Sequence, residues 1–342
     1  MKKIIRIISK ILIVIVIILI ILLSMIKIVC SVLPDTTKEL LARTMLESGQ
    51  MKLLAHLFVS KQELQELANK NPVEPMKAEV DTNLINVEDN EYKCELSGIT
   101  LEEISRDTFL AKILIINDPS RVKLATTYPW KEYGEELDKL VNQNNAVAGI
   151  NGGLYKSIGN KGGLPIGVVV SNGEIQLNKS DEHVGLHIIG LDENNVLKII
   201  DISEKTQLQI EKLIKTEKIR DAVTFQEENS TRNNHFVKLI VNGEERKVNG
   251  KGSGASPRTA IGQRADGTLL LLVTDGRGAS GHLGATVSDL IEIMKEYGAV
   301  NAANIDGGTS SSMYYNGKYE IPSVTFYYAK SSWKLPTAFI VE

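Results

Sequence analysis

Cysteine is almost absent from this chain of 342 residues, which contains two. Two cysteines cannot form a disulfide framework, and Cys30 belongs to an apolar N-terminal segment far along the chain from Cys94. No cysteine–histidine cluster accompanies them, and His183 and His187 in a strand would lie about 13 Å apart. The sequence therefore predicts neither a disulfide scaffold nor a zinc site.

Aromatic residues and excess charge are scarce as well. Phe, Trp and Tyr make up 5% of the chain, and its formal net charge is −3. Without a basic excess or an aromatic platform for stacked bases, the composition argues against a nucleic-acid partner. The remainder, 43% hydrophobic and 24% charged, is typical of a globular protein with a sizeable core.

The first 33 residues differ from the rest of the chain. Four basic residues precede a long apolar run that begins at Ile11 and continues, mostly apolar, to Leu33. A bilayer crossing needs about twenty such residues, and no small-residue cleavage site follows the run. We therefore predict a single-pass anchor that contacts membrane lipid through residues 11–33, with a cleaved signal peptide as the alternative. The positive-inside rule then places the N-terminus in the cytoplasm and the remaining chain outside the cell membrane.

Three segments follow this anchor, which we assign to residues 1–33. Residues 34–70 have helical spacing of apolar residues and a capping box from Ser60 to Glu63, which predicts a short helical stalk. Residues 71–91 contain prolines and acidic residues without periodicity and are predicted to be a linker. Residues 92–342 form the predicted catalytic domain.

The catalytic domain is organised around a strand, a helix and a second strand. The pattern predicts strands from Thr268 to Thr274 and from Ala302 to Ile305, with a helix from Thr286 to Tyr297 between them. Such a βαβ unit usually places both strands parallel in one sheet, so that they end at the same edge. Asp275 and Asp306 each follow a strand directly, and we expect both in one crevice, where open α/β sheets bind ligands.

Glycine is concentrated near two other features. Asn151-Gly152-Gly153 follows a predicted strand, and Ser256-Pro257-Arg258 lies beside the acidic loops. Glycines past strand ends allow a backbone to approach a ligand closely, although tight turns have the same composition. An arginine guanidinium can bind a phosphate through two parallel hydrogen bonds. These features predict a crevice that takes an anionic ligand.

Two familiar motifs are considered and set aside. Gly276 to Gly281 fits G-x-G-x-x-G, but a dinucleotide site needs the helix to begin at the glycines, whereas this helix begins near Thr286. Ser310 and its neighbours offer hydroxyl groups and His282 offers a base, but the G-x-S-x-G elbow of serine hydrolases is absent. Paired carboxylates opposite an arginine instead suit glycosidic chemistry or a hard divalent cation.

At this point the sequence resembles the phosphodiester glycosidases. Five motifs recur in the order of that family, over roughly residues 95 to 342: Asn151-Gly152-Gly153, Gly167 to Gly173, Pro257 to Gly262, Val273 to Gly276 and Asn304 to Ser310. The chain departs from the family pattern at Leu154-Tyr155, where aromatics often follow the glycines directly, and at Thr309, where a further glycine is common.

The resemblance implies a fold between α/β and α+β, with flanking helices around a large mixed twisted sheet. It also implies a polar centre and a set of binding residues. Carried over by motif, the catalytic residues are Asp275, Asp306 and Arg258, and the substrate-binding residues are Asn151, Gly152, Gly153, Gly307, Gly308, Thr309 and Ser310. No metal ligand or cofactor is assigned, with a divalent cation left open.

The expected activity is hydrolysis of a sugar-1-phosphodiester in surface polysaccharide metabolism, with a cell-surface glycan as partner. Because a phosphate ester leaves readily, Arg258 is expected to stabilise the leaving phosphate. One of the two aspartates then acts as nucleophile or base and the other positions its partner. Two alternatives stay open: a non-catalytic glycan-binding protein of the same fold, and a metal-dependent phosphodiesterase.

Overall fold

The computed structural model describes residues 2–47, 55, 59–69, 74–87, 98–229, 234–324 and 330–342. Cys94 and most of the predicted apolar positions between residues 51 and 58 lie outside the described residues. The helices are α1 (Lys2–Val32), α2 (Asp35–Glu47), α3 (Lys61–Asn69), α4 (Leu137–Gln143), α5 (Gln207–Thr216) and α6 (Val287–Glu296).

The apolar N-terminal segment is one helix, α1. Its stretch from Ile5 to Val29 covers 25 residues and is apolar enough to cross a membrane. Its large side chains are exposed in the structure, as those of a lipid-facing helix are. A signal sequence and a single anchor share these properties, and α1 is consistent with either.

Helices α2 and α3 follow, as the apolar spacing predicts. The capping box at the start of α3 is confirmed: the backbone N–H of Ser60 donates to Glu63 at 2.7 Å, and the N–H of Glu63 donates to the Ser60 hydroxyl at 3.2 Å. These two bonds satisfy backbone donors that a helix end otherwise leaves unpaired.

Residues 74–87, part of the predicted linker, are bound to the catalytic domain. The ammonium of Lys238 donates to the carbonyls of Met76 and Ala78, at 3.4 and 2.6 Å. The Arg246 guanidinium donates to the Glu74 carbonyl at 2.9 Å, and Ile85 is buried. Their prolines and charges indicated an irregular backbone, but long-range side chains supply the hydrogen bonds that fix it. We call residues 74–87 the strap.

The strands that the structure describes are, in chain order, β1 (Ile99–Ser105), β2 (Leu110–Ile116), β3 (Val122–Thr126), β4 (Ala148–Asn151), β5 (Gly167–Ser171), β6 (Glu174–Lys179), β7 (Leu186–Asp192), β8 (Leu197–Asp201), β9 (Ile219–Gln226), β10 (Glu228–Asn229), β11 (Asn234–His235), β12 (Lys238–Val241), β13 (Glu244–Glu245), β14 (Thr259–Arg264), β15 (Leu269–Thr274), β16 (Ala299–Ile305), β17 (Met313–Tyr315), β18 (Lys318–Ile321) and β19 (Thr337–Val341).

These strands form three main sheets, which makes the domain α+β. Sheet I has seven strands in the order β1-β2-β15-β14-β16-β12-β13, sheet II has the order β18-β17-β4-β19-β3, and sheet III has the order β6-β5-β9-β7-β8. The neighbouring strands in all three are antiparallel. The expectation of one large mixed sheet is therefore wrong.

The error has a specific origin in the central βαβ unit. Strands β15 and β16 do lie in one sheet and run in the same direction, with α6 between them in sequence. However, β14 lies between them in space and pairs antiparallel with both, its Thr259 opposite Val273 and Ile305. Strands β15 and β16 are therefore parallel but are not hydrogen-bonded to each other. The strand–helix–strand pattern cannot distinguish this arrangement from two directly paired parallel strands.

This topology brings several predicted site residues to one edge of sheet I. Asp275 follows the end of β15 and Asp306 follows the end of β16. Because β14 runs the opposite way, its first residues lie at the same edge, and Arg258 directly precedes them. Asn151, at the end of β4 in sheet II, also reaches this edge through its bond to the Asp306 carbonyl.

The core lies between the sheets and under α6. Buried apolar side chains of all three sheets form one cluster, which includes Ile261, Phe339 and Val223. On the other face of sheet I, α6 buries an apolar stripe of Val287, Leu290, Ile291 and Met294. Burying each such side chain contributes about 1.5–3 kcal/mol relative to exposure, so the strand ends that carry the site are firmly supported.

Candidate active site

Asp306 lies at the centre of the edge. Its backbone carbonyl accepts a hydrogen bond from the Asn151 amide at 2.7 Å, which fixes the turn. Burial raises the pKa of its carboxyl to about 7, although hydrogen bonds from Ser310 and the Gly307 N–H, and the charge of Arg277, act in the opposite direction. Near neutral pH this carboxyl is present in both protonation states. It can therefore either donate or accept a proton.

Tyr155 extends the Asp306 cluster through Ser310. The Ser310 hydroxyl lies between the Asp306 carboxyl and the Tyr155 hydroxyl, which is 3.0 Å away. Burial and the neighbouring carboxylate raise the pKa of Tyr155, so its phenol is neutral at physiological pH. Sequence reasoning noted Tyr155 only as a departure from the family pattern, because its position gave no sign that it packs against Ser310.

Arg258 is buried, with oxygen atoms around its guanidinium. Its Nε donates to the Ala285 carbonyl at 3.1 Å, and its Nη2 donates to the Ser253 hydroxyl at 2.8 Å and the Gly254 carbonyl at 2.9 Å. Its backbone N–H donates to Thr274 Oγ1 at 2.9 Å, which joins the start of β14 to the end of β15. These bonds fix the orientation of the guanidinium.

Arg277 is a second cation at the site, and sequence reasoning assigned it no role. Its guanidinium lies against Gly308, where an added methyl group would be 2.7 Å from Nη2. Burial and the charge of Arg258 lower the pKa of Arg277, whereas Asp306 raises it. Among the residues that the structure describes, its guanidinium makes no hydrogen bond. Its five N–H donors are therefore available to a ligand.

The backbone conformation of Arg277 explains both its position and why it was missed. Its φ is +53°, a left-handed conformation that is uncommon outside glycine. Gly276 and Gly284 approach so closely that a methyl group on Gly276 would lie 2.6 Å from Gly284 Cα. This tight loop turns Arg277 back over Gly308. The glycines on either side of Arg277 were the available signal.

Asp275 has partners of its own. One carboxylate oxygen accepts the Leu110 N–H at 2.7 Å, and the other lies 2.7 Å from His282 Nδ1. The predicted aspartates thus share an edge, but they engage different groups, and the described contacts of Asp306 do not include Asp275. Because β14 lies between β15 and β16, and neighbouring strands are about 4.8 Å apart, the strand ends that carry the two carboxyls are separated by two strand spacings.

The Asn151 motif has a positioning role in this geometry. The Asn151 amide oxygen accepts hydrogen bonds from the Thr259 hydroxyl at 2.8 Å and the Ser312 N–H at 3.2 Å, and the side chain is fully buried. A methyl group on Gly152 would lie 2.3 Å from Thr337 Oγ1, and one on Gly153 would lie 2.6 Å from the Thr224 carbonyl. Close packing between the sheets accounts for both glycines.

The second glycine loop forms a tight turn beside Asp306. Gly308 has a φ of +68°, and its N–H donates to the Pro257 carbonyl at 2.7 Å. A methyl group on Gly307 would lie 3.0 Å from the same carbonyl. Thr309 is partly exposed in this turn, whereas Ser310 is buried. The turn holds the Asp306 and Arg277 side chains together.

A metal centre was also considered. Within the described ranges, no group of three His, Cys, Asp or Glu side chains is arranged to hold a metal ion. The cations at the edge are instead arginines, which suit an anionic ligand such as a phosphate.

Comparison with known proteins agrees with this geometry. A model of the phosphodiester glycosidase family matches residues 144–342, more than half of the chain. The fold is similar to that of zebrafish N-acetylglucosamine-1-phosphodiester alpha-N-acetylglucosaminidase, in a structure of the catalytic domain auto-inhibited by pro-peptide. The similarity has a TM-score of 0.53 at 18% identity and covers 71% of this chain and 81% of that chain.

A shorter similarity links the chain to the SPbeta prophage-derived uncharacterized protein YomE of Bacillus subtilis (strain 168). It is 44% identical over 63 residues, which are 18% of this chain and 10% of that protein. The family match covers the residues that carry the edge, Asn151, Arg258, Asp275 and Asp306. This chain belongs to the phosphodiester glycosidase family.

Proposed function

We propose that the chain is a membrane-anchored extracellular hydrolase that cleaves a sugar-1-phosphodiester in surface polysaccharide metabolism. One observation carries the proposal: the Arg277 guanidinium makes no hydrogen bond to a described residue and lies against Gly308, in the turn that follows Asp306. A phosphodiester, which carries one negative charge, suits such a cationic group.

Arg277 is the residue best placed to bind the phosphate. Its guanidinium is next to Gly308 and makes no hydrogen bond within the described part of the chain, so its planar fork can take two phosphate oxygens. Arg258 acts without binding the phosphate directly, because its Nε and Nη2 donors already bond to Ala285, Ser253 and Gly254. This division refines the expectation that Arg258 alone binds the phosphate.

Asp306 is the proposed proton-transfer residue. The oxygen that leaves the sugar becomes part of a phosphate monoester, whose second pKa is about 6. A carboxyl with a pKa of about 7 is well matched to donate a proton to that oxygen near neutral pH. Asp275 is the positioning partner in this proposal, because both of its carboxylate oxygens already hold other groups.

The substrate-binding assignments follow the same division. Gly307, Gly308 and Thr309 form the turn on which a phosphate or sugar would rest, and Ser310 orients the Asp306 carboxyl. Asn151, Gly152 and Gly153 hold that turn against sheets II and III without facing the ligand. Their proposed contribution to binding is therefore indirect.

The proposed location is the outer face of the cell membrane. Helix α1 is long enough to remain as an anchor, and its basic N-terminal flank favours a cytoplasmic N-terminus. In this arrangement residues 34–70 are a stalk, and the domain from residue 92 faces a cell-surface glycan. The zebrafish enzyme acts on N-acetylglucosamine-1-phosphodiester, which makes a related sugar the first choice for this chain.

The test is turnover by the full-length protein, purified in detergent, on a panel of sugar-1-phosphodiesters that includes N-acetylglucosamine-1-phosphodiesters. We expect release of free sugar and a phosphate monoester in equal amounts. Binding of the compounds without release of sugar would instead establish the glycan-binding alternative. Loss of activity with a chelator and recovery with a divalent cation would establish the metal-dependent phosphodiesterase.

A further inference from the structure

The loop from residue 275 to 284 carries an imidazole–carboxylate pair that the function proposed above does not use as a chemical group. His282 Nδ1 lies 2.7 Å from one Asp275 oxygen, and the Leu110 N–H donates to the other oxygen at 2.7 Å. The backbone N–H of Asp275 also donates to the Leu110 carbonyl at 2.8 Å. Three contacts therefore fix the carboxylate, and the carboxylate in turn fixes the ring.

The second nitrogen of the His282 ring faces outward. A carboxylate at Nδ1 selects the tautomer with a proton on Nδ1, so that Nε2 carries a lone pair. The His282 side chain is 23% exposed, and Nε2 makes no hydrogen bond to any residue that the structure describes. A histidine held at one nitrogen and open at the other is the arrangement that hydrolases use for proton transfer.

His282 is also on the same loop as the proposed phosphate ligand, Arg277. The N–H of Arg277 donates to the Leu283 carbonyl at 3.0 Å, and the N–H of Gly278 donates to the His282 carbonyl at 2.7 Å. His282 therefore belongs to the same loop as a guanidinium that lies against Gly308, in the turn that follows Asp306.

We propose that His282 is the general base that activates the water in the glycosidic hydrolysis, with Asp275 as its positioning residue. This inference rests on the proposed function. Nε2 takes a proton from water while the water oxygen bonds to the anomeric carbon. The bond from that carbon to the phosphate oxygen breaks, and its electron pair stays on that oxygen. Asp306 gives its proton to the same oxygen. The imidazolium then releases its proton to solvent, and Asp306 recovers one from solvent.

The two aspartates have different roles in this mechanism. Asp275 stabilises the imidazolium that forms, through its bond to Nδ1. Asp306 supplies the proton that the leaving phosphate takes. Asp275 contacts His282 directly, and Arg277, on the same loop, interacts with Arg258 and Asp306.

The competing reading is that the pair only closes the loop and thereby holds Arg277. A closing role predicts that His282→Ala weakens phosphate binding and that no added base restores activity. A proton-transfer role predicts a fall in kcat, a preserved affinity for phosphate, and recovery when imidazole replaces the missing ring. These readouts separate the two roles even if the variant is less stable than the wild type.

The experiment compares full-length wild type, His282→Ala and His183→Ala with the sugar-1-phosphodiester that the wild type cleaves. His183, partly exposed between β6 and β7, is the matched control, and His183→Ala should leave kcat and KM unchanged. For His282→Ala we expect a loss of about 10²–10⁴-fold in kcat, with recovery of at least about tenfold in added imidazole. Inorganic phosphate should inhibit the wild type and His183→Ala with the same inhibition constant, and it should bind His282→Ala with that same constant.

Several results would overturn the inference. They are activity of His282→Ala within about threefold of the wild type, or a loss that imidazole does not relieve. Nitrogen-15 NMR of the imidazoles adds a test without substrate: we expect the Nδ1–H tautomer for His282 and its loss in Asp275→Asn. An Nε2–H tautomer in the wild type contradicts the proposal. An inactive wild type would overturn the proposed function, whereas an active wild type with an equally active His282→Ala overturns this inference alone.

Discussion

At the scale of single residues, the protonation of Asp306 affects both the stability of the fold and the proposed activity. Burial raises its pKa to about 7, above the value of about 4 that a carboxyl has in an unfolded chain. Between these values the folded protein holds a proton that the unfolded chain has released. The free energy of unfolding therefore falls as the pH rises from about 4 to about 7, and this contribution is constant above that range.

This linkage predicts that Asp306→Asn is more stable than the wild type at pH 8 and less active. Asparagine keeps the shape and an acceptor oxygen but has no charge to desolvate. We expect a gain of roughly 1–3 kcal/mol at pH 8 that shrinks toward pH 4, because the carboxyl is partly accessible and loses less than full burial implies. Denaturant titrations at both pH values measure the gain.

The same variant should lose about 10²–10⁴-fold in kcat, because it cannot transfer a proton. Glu292→Gln, on the exposed face of α6, is the matched neutralisation and should change neither stability nor turnover appreciably. An Asp306→Asn protein with wild-type turnover would remove Asp306 from the proposed mechanism. A loss of stability at pH 8 would show that its hydrogen bonds outweigh its desolvation.

The two arginines should separate into a ligand-binding residue and a structural one. Arg277→Ala removes a side chain without hydrogen bonds in the described residues, so we expect a change within about 0.5 kcal/mol in stability but a loss of about 10²–10³-fold in kcat/KM. Arg258→Ala removes three buried hydrogen bonds from a charged group to Ala285, Ser253 and Gly254, so we expect a loss of about 2–4 kcal/mol in stability and a loss of activity.

Thermal unfolding and steady-state kinetics on both variants test this contrast. Arg277→Lys should recover only part of the activity, because an ammonium cannot form the paired bonds of a guanidinium. The opposite pattern, with Arg277→Ala unstable and Arg258→Ala folded but inactive, would return the phosphate contact to Arg258.

How well each site residue could be predicted from the sequence depended on how directly the strand pattern determines the position of its side chain. Asp275, Asp306 and Arg258 sit at strand ends, so that the strand pattern alone brings them to one edge. Arg277 depends on a left-handed backbone, and Tyr155 on a contact 155 residues away in sequence. Neither the loop conformation nor that packing leaves a periodic signal in the sequence.

At the scale of elements, the loop from residue 275 to 284 is the part most sensitive to glycine replacement. A methyl group on Gly284 would lie 2.5 Å from the Ser256 backbone, and its φ is +123°. Gly278 has a φ of +90°, but no atom lies within 4 Å of such a methyl group. The two positions thus differ in crowding while sharing an unfavourable conformation for alanine.

We therefore expect Gly284→Ala to displace the loop and to lower kcat/KM by at least about tenfold, with a stability loss of about 2–4 kcal/mol. Gly278→Ala is the matched control and should cost only the conformational strain, about 1–2 kcal/mol. Thermal unfolding and kinetics on both proteins distinguish crowding from strain. Equal effects of the two variants would show that the close approach of Gly284 to Ser256 does not hold the loop.

Element-level prediction succeeded where local signals act. The capping box at Thr286 and Asp289 begins α6, and the Asn172-Gly173 pair, with φ of +51° and +76° and a composition typical of hairpin turns, joins β5 to β6. The insertion of β14 between β15 and β16 has no local signal, because it follows from pairing between distant segments. The prediction for β15 and β16 was therefore correct in their relative direction and wrong in their hydrogen bonding.

At the scale of the whole molecule, α1 makes the protein a membrane-bound one if it is retained. We expect the full-length protein to stay with the membrane fraction after alkaline carbonate and to require detergent for release, because about thirty mostly apolar residues bind lipid strongly. Intact mass should include residues 1–33. A soluble protein whose N-terminus begins after Leu33 would instead identify α1 as a cleaved signal.

The overall architecture was only partly accessible from the sequence. The alternation of short strands indicated a protein rich in sheet, and the resemblance supplied the family. The division into three antiparallel sheets depends on which buried faces meet, such as those of Ile261, Phe339 and Val223 in the shared core. Apolar strands of this kind can pack in several arrangements, and tertiary packing decides among them.

The strap has a mechanical consequence for a protein tethered to a membrane. Tension on the N-terminal segment reaches the catalytic domain first at Glu74, where bonds to Lys247 and Arg246 resist it, and then at Met76 and Ala78 through Lys238. These contacts lie on β12 and beyond it, at the margin of sheet I. If α1 is retained as an anchor, tension on the N-terminal segment would load these contacts before it loads β16.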